Sequence, residues 1–275
     1  MPGLDEIRST WDGEAGWTSA GDEWSGPWGG SEPQWWGALL PRIHAFVPSG
    51  TILELGPGQG RWSRFLKDLA GELVLVDVAE HCLQACRARF AGAGNVSYHL
   101  GDGASLPFLA DASVDFAFSF DSLVHAERDV LEGYTRELAR VLKPDGVAFL
   151  HHSNMGEHVR AAAFARRLPD PLRRRLTVRG ALVNVYAWRA ESVTAEGVAR
   201  AAEAAGLTCV AQELIAWEYG RRLTDAISVL TPRGSRWERP RVRVENPGFM
   251  DEARAIARTA ALYAETGWAP RNSST

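Results

Sequence analysis

Residues 54–60 read Glu-Leu-Gly-Pro-Gly-Gln-Gly. Glycines so closely spaced let a main chain approach a ligand and take conformations closed to other residues. Where such a loop opens a helix, the first helical N–H groups face the same ligand. Asp77 follows Glu54 by 23 residues. At the end of the next strand, its carboxylate can accept from both hydroxyls of a bound ribose. A second set is His125, His151 and His152, with Asp121 close by in sequence. Histidine is the usual proton acceptor near neutral pH.

The elements that position these groups follow from periodicity. Thr51–Leu55 is a short apolar run feeding the glycine loop, hence a buried strand. Trp62, Phe65, Leu66 and Leu69 recur at helical spacing. Further strands are expected at 73–77, 95–99, 114–120 and 147–150, with helices through Cys82–Phe90 and Leu131–Val141 and a turn at 143–146. Strands alternating with helices imply βαβ units and a parallel sheet. A helix at 194–205 precedes runs at 207–215 and 225–230, which have no helix between them and so predict an antiparallel hairpin. The pattern assigns residues 1–50 to an irregular arm, 51–232 to a nucleoside-binding domain with an insert at 155–187, and 233–275 to a C-terminal extension. That extension carries one helix, 249–263, and a frayed end at 271–275.

Two nucleoside cofactors compete for the loop. A dinucleotide fingerprint needs G-x-G-x-x-G, and Arg61 stands where its third glycine belongs. The ordered set of Glu54–Gly60, Asp77, Gly101-Asp-Gly103 and Asp121 resembles class I S-adenosylmethionine-dependent methyltransferases over roughly residues 50–232. The resemblance implies a doubly wound α/β fold with a seven-stranded, mostly parallel sheet whose last strand is antiparallel. It also implies S-adenosyl-L-methionine as cofactor and S-adenosyl-L-homocysteine as product. By the same resemblance Glu54, Gly56 and Gly58 hold the methionine half and Asp77 the ribose. Val78 meets the adenine, Asp102 and Gly103 recognise its amino group, and Asp121 lies near the methionine amine or the acceptor. Asp77 as a helix cap and Asp102-Gly103 as a turn are the plainer alternatives.

Methyl transfer to an alcohol requires a proton acceptor, and the three histidines are the candidates. His151 and His152 are adjacent on a strand and face opposite ways, so they cannot share a role, and one is expected in the core. A magnesium site from Asp121, His125, His151 or His152, and Asn154 is disfavoured because magnesium prefers oxygen ligands. The arm, the Phe118–His125 stretch and His151-His-Ser-Asn154 resemble small-molecule methyltransferases of sugar-polymer and antibiotic-tailoring pathways. That resemblance implies O-methylation of a sugar hydroxyl, with N-methylation of an amine as alternative. An oxidoreductase and a non-catalytic binder of the cofactor are the remaining readings.

Residues 160–179 hold seven arginines against Asp170. They suit a phosphorylated acceptor such as a nucleotide sugar, or a solvated helix face. Six of eleven tryptophans lie within the first 36 residues. They read as core packing and, through Trp24, Trp28 or Trp36, as a lid. The net charge of −4 argues against a nucleic-acid surface. The three cysteines, with Cys82 and Cys86 read as packing residues, point to a reducing, cytoplasmic setting. No stretch suits a signal peptide or a bilayer. Contact between the acidic arm and the arginine run would make a homo-oligomer.

Overall fold

The computed structural model describes residues 17–217 and 219–265. Trp11 and the expected frayed end at 271–275 lie outside them. Eight strands form one sheet: β1 Ser49–Leu55, β2 Ala70–Asp77, β3 Val96–Leu100, β4 Val114–Ser119, β5 Leu142–Ser153, β6 Leu207–Ile215, β7 Asp225–Pro232 and β8 Val242–Asn246. Their order is β3-β2-β1-β4-β5-β7-β6-β8. β1 to β5 run parallel, and β7 is antiparallel to both neighbours, as the missing crossover between β6 and β7 requires.

Three expectations are corrected. The sheet has eight strands, and its last strand in sequence, β8, is parallel to β6. Only Val242 and Val244 hint at β8, and its first four residues are exposed. The helix expected through Trp62–Leu69 is a single turn, Ser63–Leu66. It stops because β2 already begins at Ala70, where the Asn95 amide donates to the carbonyls of Lys67 and Ala70. The turn expected at 143–146 is absorbed into β5 as a bulge. Pairing with β4 jumps from Val114↔Leu142 to Phe116↔Val147.

Both faces of the sheet are covered. On one, Leu53, Leu55, Ala117 and Leu150 meet the helices Arg128–Val141 and Ala195–Ala205. Thr194 caps the latter by accepting the Gly197 N–H at 2.9 Å. On the other, Ile52, Phe116, Phe118 and Phe149 meet the N-terminal segment and the C-terminal helix Phe249–Glu265. The N-terminal segment is a 3-10 helix, Asp22–Trp28, followed by a helical run over 31–43 that includes a π turn at Trp35–Leu39. Trp28 and Trp35 are each 1% exposed and serve as core residues. Trp28 packs on Trp217 and Phe249, and Trp35 stacks on Phe65. Arg42 joins this layer to the sheet through Glu213 and Glu252.

Candidate active site

The carboxyl ends of β1, β2 and β4 open into a cleft of about 920 Å³, partly open to solvent. Its floor is Gly56, Pro57 and Gly58. Val76, Asp77, Val78, Cys82 and Gly103 form one wall, and Phe120, Asp121, Leu123, His125 and Tyr134 another. Trp17, Gly21 and Trp24 close it from the arm side. The glycines are required by geometry. Gly56 has φ +69, and a Cβ there would lie 1.8 Å from the Ser122 Oγ. At Gly58, φ is +55, and a Cβ would lie 2.7 Å from the Trp17 ring. Trp17 and Trp24 meet edge to face at 4.8 Å.

Of the residues singled out in the sequence, Gly56, Gly58, Asp77, Val78, Gly103, Asp121 and His125 line this cleft, whereas Glu54, Asp102, His151 and His152 do not. Asp77 accepts the Gly58 N–H at 3.1 Å and the Ala79 N–H at 3.0 Å, so its carboxylate ties the glycine loop to the end of β2. Glu54 lies beneath the loop, 1% exposed, where it accepts from Ser63 at 2.6 Å. Burial pushes its pKa up to about 8. Asp102 faces solvent and accepts from the N–H groups of Ala104 and Ser105, which is the turn geometry rather than a contact with the cleft.

His152 is a core residue. It is fully buried between the Ser153 carbonyl and the Ser228 hydroxyl, and burial pushes it down to about 4. His151 is also fully buried, but its Nδ1 accepts the Asp121 N–H at 3.1 Å and its Nε2 meets Asp225 at 3.1 Å. Of the three, only His125 reaches the cleft. Its Nδ1 lies 2.5 Å from the Trp188 carbonyl, and burial, reinforced by Arg189, lowers its pKa to about 4. The neutral ring donates through Nδ1, which leaves its acceptor lone pair on Nε2.

Asp121 carries φ +63, a left-handed conformation that costs a non-glycine residue about 1 kcal/mol. Burial would raise its pKa, but Arg61 at 2.9 Å and Arg189 at 3.8 Å hold the carboxyl below its usual value. Arg61 is 6% exposed and lies over Trp62 and Trp24. In the sequence it registers only as a missing glycine. Arg189 carries no local signal at all, and Trp17 only its place in the tryptophan cluster, because their importance arises from distant chain segments meeting.

The tryptophan and arginine expectations divide. Trp24 lines the cleft, Trp28 is core, and Trp36 is 62% exposed beside Phe65. None of the cleft-lining residues comes from 155–187. Instead Arg173 and Arg174 pair with Asp170 on the helix Asp170–Val178, and Arg166 pairs with Glu191. Asn154 accepts the Ala195 N–H and donates to the Leu223 carbonyl, both at 2.8 Å. Among the described residues no cluster of His, Cys, Asp and Glu suits a metal ion, and no helix is long and apolar enough to cross a membrane.

Residues 52–146 match the family described as methyltransferase domain. Over 112 residues the chain is 35% identical to a biotin biosynthesis bifunctional protein of Cellvibrio japonicus, covering 41% of this chain and 21% of that protein. It is 33% identical over 99 residues to an O-methyltransferase of Aspergillus sclerotiorum, covering 34% and 36% respectively. The chain thus spans about a fifth to a third of the length of these relatives. The CcbJ methyltransferase of Streptomyces caelestis shares the fold, with a TM-score of 0.52 at 21% identity over 78% of this chain and 98% of that one. Residues 52–146 thus match a methyltransferase domain, set in a chain with the Rossmann-like methyltransferase fold, and methyltransferases of that fold use S-adenosylmethionine. The cleft fits that group. A Cβ on either floor glycine would collide with its surroundings, the Asp77 carboxylate stands in the wall at the end of β2, and apolar side chains flank it.

Proposed function

We propose that the chain is an O-methyltransferase that methylates a hydroxyl, most simply a sugar hydroxyl, of a small molecule or glycosylated metabolite. Bound S-adenosylmethionine supplies an electrophilic methyl group. The floor glycines admit it, and Asp77 and Val78 take its nucleoside end. Trp17 and Trp24 roof the cleft, exclude water and offer flat faces suited to sugar rings and to a sulfonium charge. His125 receives the acceptor's proton at Nε2, since the Trp188 carbonyl holds its Nδ1–H. The carrying observation is that His125, alone of the three candidate histidines, lines the cleft as a neutral ring.

One observation favours a second reading. A base with a pKa of about 4 has little driving force toward a hydroxyl proton at neutral pH. An amine acceptor, entering neutral, needs less from it. Release of S-adenosylhomocysteine from a panel of monosaccharides, nucleotide sugars and amino sugars separates the two. For a hydroxyl acceptor, His125→Gln should lower kcat by about 100-fold or more at saturating cofactor. Full turnover by His125→Gln with a sugar hydroxyl would remove the base assignment. Activity confined to amines would select the second reading.

A further inference from the structure

Asp121 is gripped at both ends by groups that share a single anchor. Its main-chain N–H donates to the Nδ1 of His151 at 3.1 Å. A ring nitrogen that accepts carries no proton, so the proton of His151 sits on Nε2, which faces the Asp225 Oδ2 at 3.1 Å. At its other end, the Asp121 carboxylate lies 3.8 Å from Arg189, whose Nε donates to the same Asp225 Oδ2 at 2.9 Å. Asp225 opens β7 and is fully buried, as is His151 near the end of β5. A closed circuit therefore runs from the Asp121 amide through His151, Asp225 and Arg189 back to the Asp121 carboxylate. Phe120 and Trp217 pack against the His151 ring at 4.5 and 5.1 Å and hold its plane. A residue held at φ +63 needs such support, because the surroundings must over-determine a sparsely populated conformation.

We infer that His151 and Asp225 are positioning residues that lock Asp121 in its left-handed conformation, and so fix the cleft wall facing the glycine loop. This rests on the cofactor placement given above. The circuit makes the antiparallel strand β7 part of the binding machinery, although Asp225 and His151 do not line the cleft. It also separates the two histidines that reach Asp121's surroundings: His125 faces the cleft, and His151 sets the geometry of the wall.

The test compares His151→Asn with His151→Phe. Asparagine places an oxygen near the position of Nδ1 and keeps an acceptor for the Asp121 N–H. Phenylalanine keeps the ring and removes both bonds. Calorimetry with S-adenosylhomocysteine should give His151→Asn within about three-fold of the wild-type affinity and His151→Phe at least about ten-fold weaker, with both variants folded by circular dichroism. Wild-type affinity in His151→Phe overturns the inference. So does equal loss in both variants, since the conservative replacement must rescue. If His151→Phe does not fold, nitrogen-15 spectra of the wild-type imidazoles decide: His151 must show its proton on Nε2 and an Nδ1 without one, and the opposite tautomer overturns the circuit. Failure of the wild-type protein itself to bind S-adenosylhomocysteine would instead sink the cofactor placement.

Discussion

At the scale of single residues, the site works by fixing carboxylates in different states. Asp77 is committed to two N–H donors, Asp121 to two arginines, and Glu54 is buried with one hydroxyl donor. Asp77 holds the glycine loop and, under the proposed function, would also face the nucleoside, so the cap and ligand readings of its sequence position are compatible. Asp77→Ala should weaken S-adenosylhomocysteine binding by about ten-fold or more by calorimetry, since it removes an acceptor and slackens the loop together. Unchanged affinity would place the ribose elsewhere. The sequence pattern alone indicated Gly56, Gly58, Asp77 and His125 as candidates for this cleft. Asp102, which the same pattern offered, accepts from its own turn and is not among the cleft-lining residues, as an aspartate before glycine signals a turn and a ligand equally well.

At the scale of elements, the N-terminal segment supplies cleft residues as well as core, and the insert supplies none to the cleft. Trp17, Gly21 and Trp24 reach the cleft, whereas the arginine-rich insert packs its own small core from Met155, Ala162, Ala165, Leu182 and Val183. Its helix Asp170–Val178 keeps Arg173 and Arg174 on Asp170 and beneath Tyr186 at the surface. Replacing both arginines by alanine should therefore leave cofactor affinity and the acceptor KM within about two-fold of wild type. A larger rise in KM for a phosphorylated acceptor, relieved for a neutral one, would return the insert to the site. The helix turn Ser63–Leu66 teaches the converse lesson about periodicity. Trp62, Phe65 and Leu66 are spaced for a helix and do pack inward, but the neighbouring strand sets where that helix must end.

At the scale of the molecule, the buried titratable groups set how stability responds to pH. His125 and His152 titrate near 4 when folded against a usual 6.5. Between those values the unfolded chain binds the extra protons, so their contribution is lost as pH falls from 6.5 toward 4. Glu54 works oppositely. It titrates near 8 when folded against a usual 4.5, so the folded state holds the extra proton and stability declines as pH rises through that window. From 4.5 to 6.5 two histidines outweigh one glutamate; above 6.5 only the glutamate acts. Urea unfolding of the cofactor-free protein should therefore give a maximum near pH 6.5, with flanks changing by about 1.4 kcal/mol per pH unit for each unbalanced proton. Stability that climbs steadily from pH 6.5 to 8 would contradict the buried state of Glu54.

The sequence by itself determined the alternating architecture, the glycine cradle and the carboxylate at the end of β2. These are local, because the period of apolar residues and the conformational freedom of glycine act within a few positions. Only the tertiary structure decided which histidine reaches the cleft, that Arg61 and Arg189 flank Asp121, and that an eighth strand closes the sheet. Those outcomes depend on contacts between segments far apart in the chain. His125 comes to rest at Trp188 and His151 at Asp225, and no local pattern encodes either meeting.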